Sequence, residues 1–161
     1  MVLTIDIGNT TIGIGGFQGN KLLFIEKISS RRPLSDAGYI EKLNMILNKH
    51  GLSAEAFEGS VISSVVPSVT AVFSSALETI LGRKPLILSH KLDLGYEICT
   101  DFPEKVGCDR LADIAGAISR YSLPFVTIDL GTATTFNVLD ENRRFLGGLI
   151  LPGVGTAHRA L

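Results

Sequence analysis

Two short stretches of this 161-residue chain combine residue types suited to handling phosphate. Ile5-Asp6-Ile7-Gly8-Asn9-Thr10-Thr11 and Ile128-Asp129-Leu130-Gly131-Thr132-Ala133-Thr134 both read apolar, Asp, apolar, Gly, Asn or Thr, small, Thr. Each follows an apolar run and precedes a second one, so each is expected to be a turn between two strands. A glycine in such a turn lets the backbone come close to a ligand. Successive N–H groups can then form an anion nest, with Asn9, Thr10 and Thr132 adding side-chain donors. A carboxylate repels phosphate, so Asp6 and Asp129 make sense there only with a cation between, either Mg²⁺ with its waters or a monovalent ion. Taken singly, each stretch is ordinary turn chemistry. Two copies in matching strand context point to an internal duplication and to loops clamping a polyphosphate from both sides of a cleft. That is the chemistry of an ATP-using phosphotransferase. No Gly-x4-Gly-Lys-Ser/Thr loop occurs to do it in another way.

A second constellation, Gly107-Cys108-Asp109-Arg110, falls at an expected helix start. Asp109 there reads either as a helix N-cap or as a carboxylate that accepts a proton from a substrate hydroxyl. Arg110 reads as a surface residue, or as a ligand for a substrate carboxylate or a transferring phosphoryl group. Gly147-Gly148-Leu149-Ile150-Leu151-Pro152-Gly153 reads as a strand with a bulge or a close approach, followed by a tight turn. His50, His90 and His158 have no ligand spacing, and Tyr96, Phe102 and Phe125 read as packing residues. Cys99 and Cys108 lack metal-ligand spacing and are expected to be reduced thiols of a cytoplasmic protein.

The elements that must position these residues follow from pattern. Val2–Ile7, Thr11–Phe17 and Lys21–Ser29 read as an antiparallel meander. A helix capped by Ser35 or Asp36 comes next, with Tyr39, Ile40, Leu43, Ile46 and Leu47 inward. A strand over Ser60–Val66 follows, then a helix opened by Pro67 with Val69, Val72, Phe73, Ala76, Leu77 and Ile80 inward, and then a buried strand over Pro85–Ser89. A helix between the last two strands implies a parallel crossover beside the meander. That order fits a ribonuclease H-like mixed sheet with flanking helices, whereas a Rossmann domain needs helices between its first strands. Lys91–Val106 reads mostly as loop. A helix from Asp109 with Leu111, Ile114, Ala115 and Ile118 on one stripe follows. Strands over Pro124–Leu130, Thr134–Asp140 and Arg144–Leu151 then repeat the opening pattern. The expected division is a first domain over 1–120 and the start of a second over 121–161. Hydrophobic residues at 45%, charged residues at 19% and a net charge of −1 exclude a disordered chain and give no basic surface for nucleic acid. No apolar run approaches the roughly 20 residues that span a bilayer, and the N-terminus lacks the pattern of a signal peptide.

With these pieces in order, the chain resembles the N-terminal part of a type III pantothenate kinase, a member of the acetate kinase, sugar kinase and actin superfamily. The resemblance rests on Asp6-Ile7-Gly8-Asn9-Thr10, Ser63-Ser64-Val65-Val66-Pro67, Pro103 to Arg110, Asp129 to Thr135, and Gly147 to Gly153. It implies an actin-like ATPase fold in two ribonuclease H-like copies, the second incomplete, and the reaction of ATP with pantothenate to give 4′-phosphopantothenate. Asp6, Ile7, Gly8, Asn9, Thr10, Thr11, Ile12 and Gly13 would form the first ATP phosphate loop, and Thr132 would contact ATP. Gly107, Cys108, Asp109 and Arg110 would line the pantothenate site, with Asp109 as base. Asp129 would bind K⁺ or NH₄⁺, beside the Mg²⁺ that accompanies ATP. Homodimers with pantothenate near the subunit interface are implied as well. The family's substrate-contacting Tyr is replaced by Thr100, with Tyr96 four residues earlier. The chain stops where the first helix of the second domain is expected to begin, so it is expected to be poorly active alone. The competing readings are another small-molecule kinase of the superfamily and a non-catalytic regulatory or accessory member.

Overall fold

The computed structural model describes residues 1–160, divided into two compact units, Met1–Leu88 and Ser89–Leu161. In the first unit, β1 (Val2–Ile7), β2 (Thr11–Gln18) and β3 (Lys21–Ser29) form the expected meander. They are followed by α1 (Asp36–Lys49), β4 (Gly59–Ser64), α2 (Pro67–Leu81) and β5 (Leu86–Ile87). The sheet order is β3-β2-β1-β4-β5, with β1 antiparallel to β2 and parallel to β4. Local chemistry sets the helix ends. The Ser35 hydroxyl accepts from the Gly38 N–H at 3.2 Å, Pro67 supplies the fixed φ of a first helical residue, and Gly82 closes α2 at φ +67°.

Alternation along β1 turns Leu3, Ile5 and Ile7 into the core. There they join Ile12, Ile14 and Ile62 and the inward stripes of both helices, Tyr39, Leu43, Ile46 and Leu47 with Val69, Phe73, Ala76 and Leu77. By the same alternation Asp6 lies on the opposite face and is exposed. β5 is not the buried strand expected over Pro85–Ser89. It is two residues long at the sheet edge, and Leu86 and Ile87 are 52% and 45% exposed. An edge strand with a single neighbour has little to cover it.

In the second unit the order of elements is β6 (Glu97–Ile98), α3 (Cys108–Ile118), β7 (Phe125–Leu130), β8 (Ala133–Leu139), β9 (Arg144–Pro152) and α4 (Val154–Ala160). β7, β8 and β9 form a second antiparallel meander, with β6 parallel to β9 at its edge. The segment read as loop is thus tied into the sheet through β6, and the Tyr96 hydroxyl donates to the Leu111 carbonyl at 3.0 Å. α3 packs on β7 and β8, burying Leu111, Ile114 and Ala117. The compact units therefore part after Leu88, whereas the repeat suggested a boundary after residue 120. Residues 89–120 carry the apolar side chains that cover the second sheet, including Tyr96, Ile98, Val106 and Ile114.

Thr127, Asn137 and Gly148 are register partners across this sheet on the face that meets α3. The neighbouring row points the other way. Ile128, Phe136 and Leu149 share that register, and Ile128 and Leu149 are 57% and 61% exposed. One face of the second sheet is thus apolar and solvent-facing, contrary to the usual polar outer face of an antiparallel sheet.

Candidate functional site

The two Asp loops are closed in related ways. In the first unit Asp6 stands opposite Gly13 and Ile7 opposite Ile12, and the Gly8 N–H donates to the Thr11 carbonyl at 3.0 Å. The Thr10 carbonyl accepts from the Ser30 N–H at 3.1 Å, and the Ile7 carbonyl from the Val65 N–H at 3.0 Å. The loop is therefore held from both neighbouring strands. In the second unit Asp129 stands opposite Thr135 and Leu130 opposite Thr134, and the Gly131 N–H donates to the Ala133 carbonyl at 2.9 Å.

The second turn is thus one residue shorter, since Asp6 pairs seven residues on and Asp129 six. The counterpart of Thr11 is Ala133, not the Thr134 that a gapless alignment gives. Both glycines spend their N–H on closing the turn. A Cβ on Gly8 would sit 3.3 Å from the Thr11 carbonyl oxygen.

The stretch Gly147 to Gly153 supports two neighbours at once. Its register with β8 shifts between Val138 and Leu139, leaving Leu146 unpaired in a bulge, and Gly147 has φ +109°. Gly153 is buried beneath the second loop. A Cβ there would run into the Gly131 carbonyl oxygen and lie 2.7 Å from that of Thr132. The Thr132 carbonyl in turn accepts from the Gly153 N–H at 3.1 Å and the Thr156 hydroxyl at 2.9 Å. The loop and the first turn of α4 are one hydrogen-bonded unit.

At the start of α3, Gly107 and not Asp109 occupies the N-cap. Asp109 lies in the first turn, and its Oδ1 accepts from the Arg110 N–H at 2.7 Å. An anion there is favoured by the helix dipole. Arg110 is half-buried and anchored. Its Nε donates to Asn137 Oδ1 at 2.6 Å, its Nη2 to the Phe136 carbonyl at 3.3 Å, and its guanidinium carbon lies 5.5 Å from the centre of the Phe145 ring. Burial pulls its pKa down, opposed by the charges of Asp109 and Asp113. Asp113, Arg120, Thr127 and Asp129 line a cleft of about 350 Å³ on the same unit.

Asn137 escaped the sequence reading. The signal was a lone Asn amid Ala133–Leu139, a residue type depleted in strands. Tyr96 packs against the second core and donates to the α3 backbone, and burial raises its hydroxyl pKa. Phe125 packs against the second core as well. Phe102 does not, being 56% exposed with Lys105 Nζ 4.1 Å from its ring centre. Neither cysteine forms a disulfide among the described residues.

The donor set near Asp129 suits a hard cation, which takes oxygen ligands. Asp129 is exposed, its register partner Thr135 is buried with an unpartnered hydroxyl, and Asp129 Oδ2 leans over Gly131. No group of three or more His, Cys, Asp or Glu side chains gathers among the described residues. Any cation here would lean on hydroxyls, carbonyls, water or the ligand's own oxygens.

A protein from Bifidobacterium animalis subsp. lactis named type III pantothenate kinase is 39% identical over the whole of this chain and 64% of its own length. One of that name from Thermomicrobium roseum is 36% identical over the whole chain and 62% of its own length. This chain thus spans less than two thirds of these relatives. Among solved structures, a ROK hexokinase from Thermus thermophilus superposes with TM-score 0.50 at 16% identity, covering 96% of this chain and 50% of that one. An ethanolamine utilization protein from Carboxydothermus hydrogenoformans gives 0.52 at 14%, covering 96% and 53%. At such identities these two show the fold alone, the mixed sheet with flanking helices read from the strand order. The family model for type III pantothenate kinase matches residues 2–161, and the chain belongs to that family.

Proposed function

We propose that this chain supplies the catalytic base and the phosphate loops of an enzyme that transfers the γ-phosphoryl group of ATP to pantothenate, forming 4′-phosphopantothenate at the start of coenzyme A synthesis. The observation that carries the proposal is the pairing of Asp109 with an anchored Arg110 at one helix start, in a chain whose whole length matches the family. Asp109 accepts the proton of the primary hydroxyl as it attacks. Arg110 holds an anionic oxygen of the substrate or of the phosphoryl group in flight. Asp6 to Gly13 cradle ATP phosphates, and Gly107 and Cys108 form the backbone wall beside pantothenate.

Mg²⁺ carried with ATP would offset phosphate charge, and Asp129 with neighbouring oxygens would hold K⁺ or NH₄⁺. Thr132 contacts ATP from the second loop. The working form is a cytoplasmic homodimer; no helix of the described residues is long and apolar enough to cross a membrane. Calorimetric titration tests the binding half of this reading. ATP with Mg²⁺ and pantothenate should each give a saturable heat, and Asp129→Ala should weaken ATP binding. A chain that binds neither is a structural or regulatory member instead.

A further inference from the structure

Asn137 is fully buried in the middle of β8, where an apolar side chain would be the simpler choice. A buried amide is costly unless both of its ends are used. Both are used here. Oδ1 accepts from Arg110 Nε at 2.6 Å, and Nδ2 donates to Thr127 Oγ1 at 3.0 Å on the neighbouring strand. On the other side, Gly148 is the register partner of Asn137. A Cβ on Gly148 would collide with the Phe136 carbonyl and sit 2.9 Å from Arg110 Nη2. Phe145, also fully buried, stands beside the guanidinium carbon. Three adjacent strands thus shape a slot for a single guanidinium delivered by α3.

The slot's hydrogen-bond acceptors are an amide oxygen and a backbone carbonyl, both neutral. They fix the plane of the guanidinium without cancelling its charge. They engage Nε and Nη2 and leave the donors of Nη1 outside these contacts. A guanidinium held by one edge presents the rest of its fork to an anion with little ordering cost at binding.

We infer that Asn137 is the positioning residue that pre-orients Arg110 for an anionic oxygen of the ligand, with Gly148 kept side-chain-free chiefly by the Phe136 carbonyl and also by the guanidinium beside it. The inference rests on the proposed role of Arg110 and adds how that role is built. The anionic oxygen is either the pantothenate carboxylate or a phosphoryl oxygen. Pantothenol, which lacks the carboxylate, separates the two.

The test compares wild type, Asn137→Leu, Asn137→Asp and Arg110→Gln on two readouts. The first is calorimetric affinity for pantothenate and for pantothenol. The second is hydrogen exchange of the Arg110 Nε–H in ¹⁵N spectra, which needs no ligand. Asn137→Leu is expected to weaken pantothenate binding by about tenfold or more, on the scale of one lost charged hydrogen bond, and to expose the Nε–H to fast exchange. Asn137→Asp keeps the acceptor and should restore Nε–H protection, whereas its carboxylate would cancel the guanidinium charge and leave pantothenate binding weakened. The double variant Asn137→Leu with Arg110→Gln should bind no worse than Arg110→Gln alone. If pantothenol affinity falls in step with pantothenate, the carboxylate is not what Arg110 reads. Asn137→Leu with wild-type pantothenate affinity, beside a defective Arg110→Gln, would overturn the inference. So would an unchanged Nε–H exchange rate in Asn137→Leu. Wild-type protein that binds no pantothenate would defeat the functional reading instead, with the slot still judged by the Nε–H signal. If Asn137→Leu fails to fold, Asn137→Asp decides alone, since loss of Nε–H protection in that variant also overturns the inference.

Discussion

Substituting Gly153 by Ala isolates the support beneath the second Asp loop. The added methyl would occupy space already filled by the Gly131 carbonyl oxygen, with the Thr132 carbonyl oxygen at 2.7 Å and its carbon at 2.9 Å. All are backbone atoms of one tight turn, so relief requires moving the turn itself or breaking the bonds from Gly153 N–H and Thr156 Oγ1 to the Thr132 carbonyl. Forced overpacking of this kind costs about 1–3 kcal/mol, and each lost hydrogen bond adds about 1 kcal/mol. Gly155 is the internal control. It lies two residues on in α4 with nothing within 4 Å of its would-be Cβ, and Ala there should be neutral or stabilising by up to about 1 kcal/mol. Urea denaturation gives the two stabilities, and amide exchange at residues 131–133 shows where the loss falls. Gly153→Ala should lower the midpoint and speed exchange in that loop, and Gly155→Ala should do neither. Equal stabilities for the two variants would refute the buttress.

Tyr96→Phe should cost about 1 kcal/mol through the lost bond to the Leu111 carbonyl and leave pantothenate affinity unchanged; a selective loss of affinity would make Tyr96 a substrate contact. Burial would raise the Asp140 pKa, but hydrogen bonds from the Arg144 side chain and from the Arg144 and Asn142 N–H groups hold it below the usual carboxylate range. The folded value is therefore the depressed one. Its stabilisation is full above the unfolded pKa of about 4 and is lost as pH falls through the folded value. Arg144→Gln should flatten the acid limb of the stability profile, and an unchanged limb would count against this pair. The apolar outer face of β7–β9 should bind a hydrophobic dye in the isolated chain, and Ile128→Lys should reduce that signal without lowering the unfolding midpoint by more than about 1 kcal/mol.

Much of this architecture was legible because it rests on period and turn chemistry. The helical stripes Tyr39-Leu43-Ile46-Leu47 and Val69-Phe73-Ala76-Leu77, and the meanders around Gln18-Gly19-Asn20 and Glu141-Asn142, are local patterns. The features that were not legible depend mostly on distant partners. Leu86 and Ile87 read as buried because their types are apolar, but an edge position decided otherwise. The segment around Tyr96 lacks periodicity, and its place is set by pairing with β9 and by one hydroxyl reaching α3. Within the candidate site the Asp loops and Gly107–Arg110 announce themselves by residue type. Asn137, Gly148 and Gly153 act through contacts with residues far along the chain, so spacing alone showed only that glycines there wanted a reason. The missing residue in the second turn was hidden because a gapless alignment still matched Thr to Thr.

The most direct test of the central claim is a pantothenate-dependent turnover measurement on a chimera that joins these 161 residues to the C-terminal third of the Bifidobacterium animalis relative. Phosphopantothenate is followed by mass spectrometry, with Asp109→Asn alongside. The chimera is expected to make phosphopantothenate from ATP, and Asp109→Asn to lower kcat by about 10²-fold or more at unchanged folding, the scale of a lost general base. A folded chimera that releases ADP without needing pantothenate, or an Asp109→Asn variant that turns over like its parent, would contradict that claim.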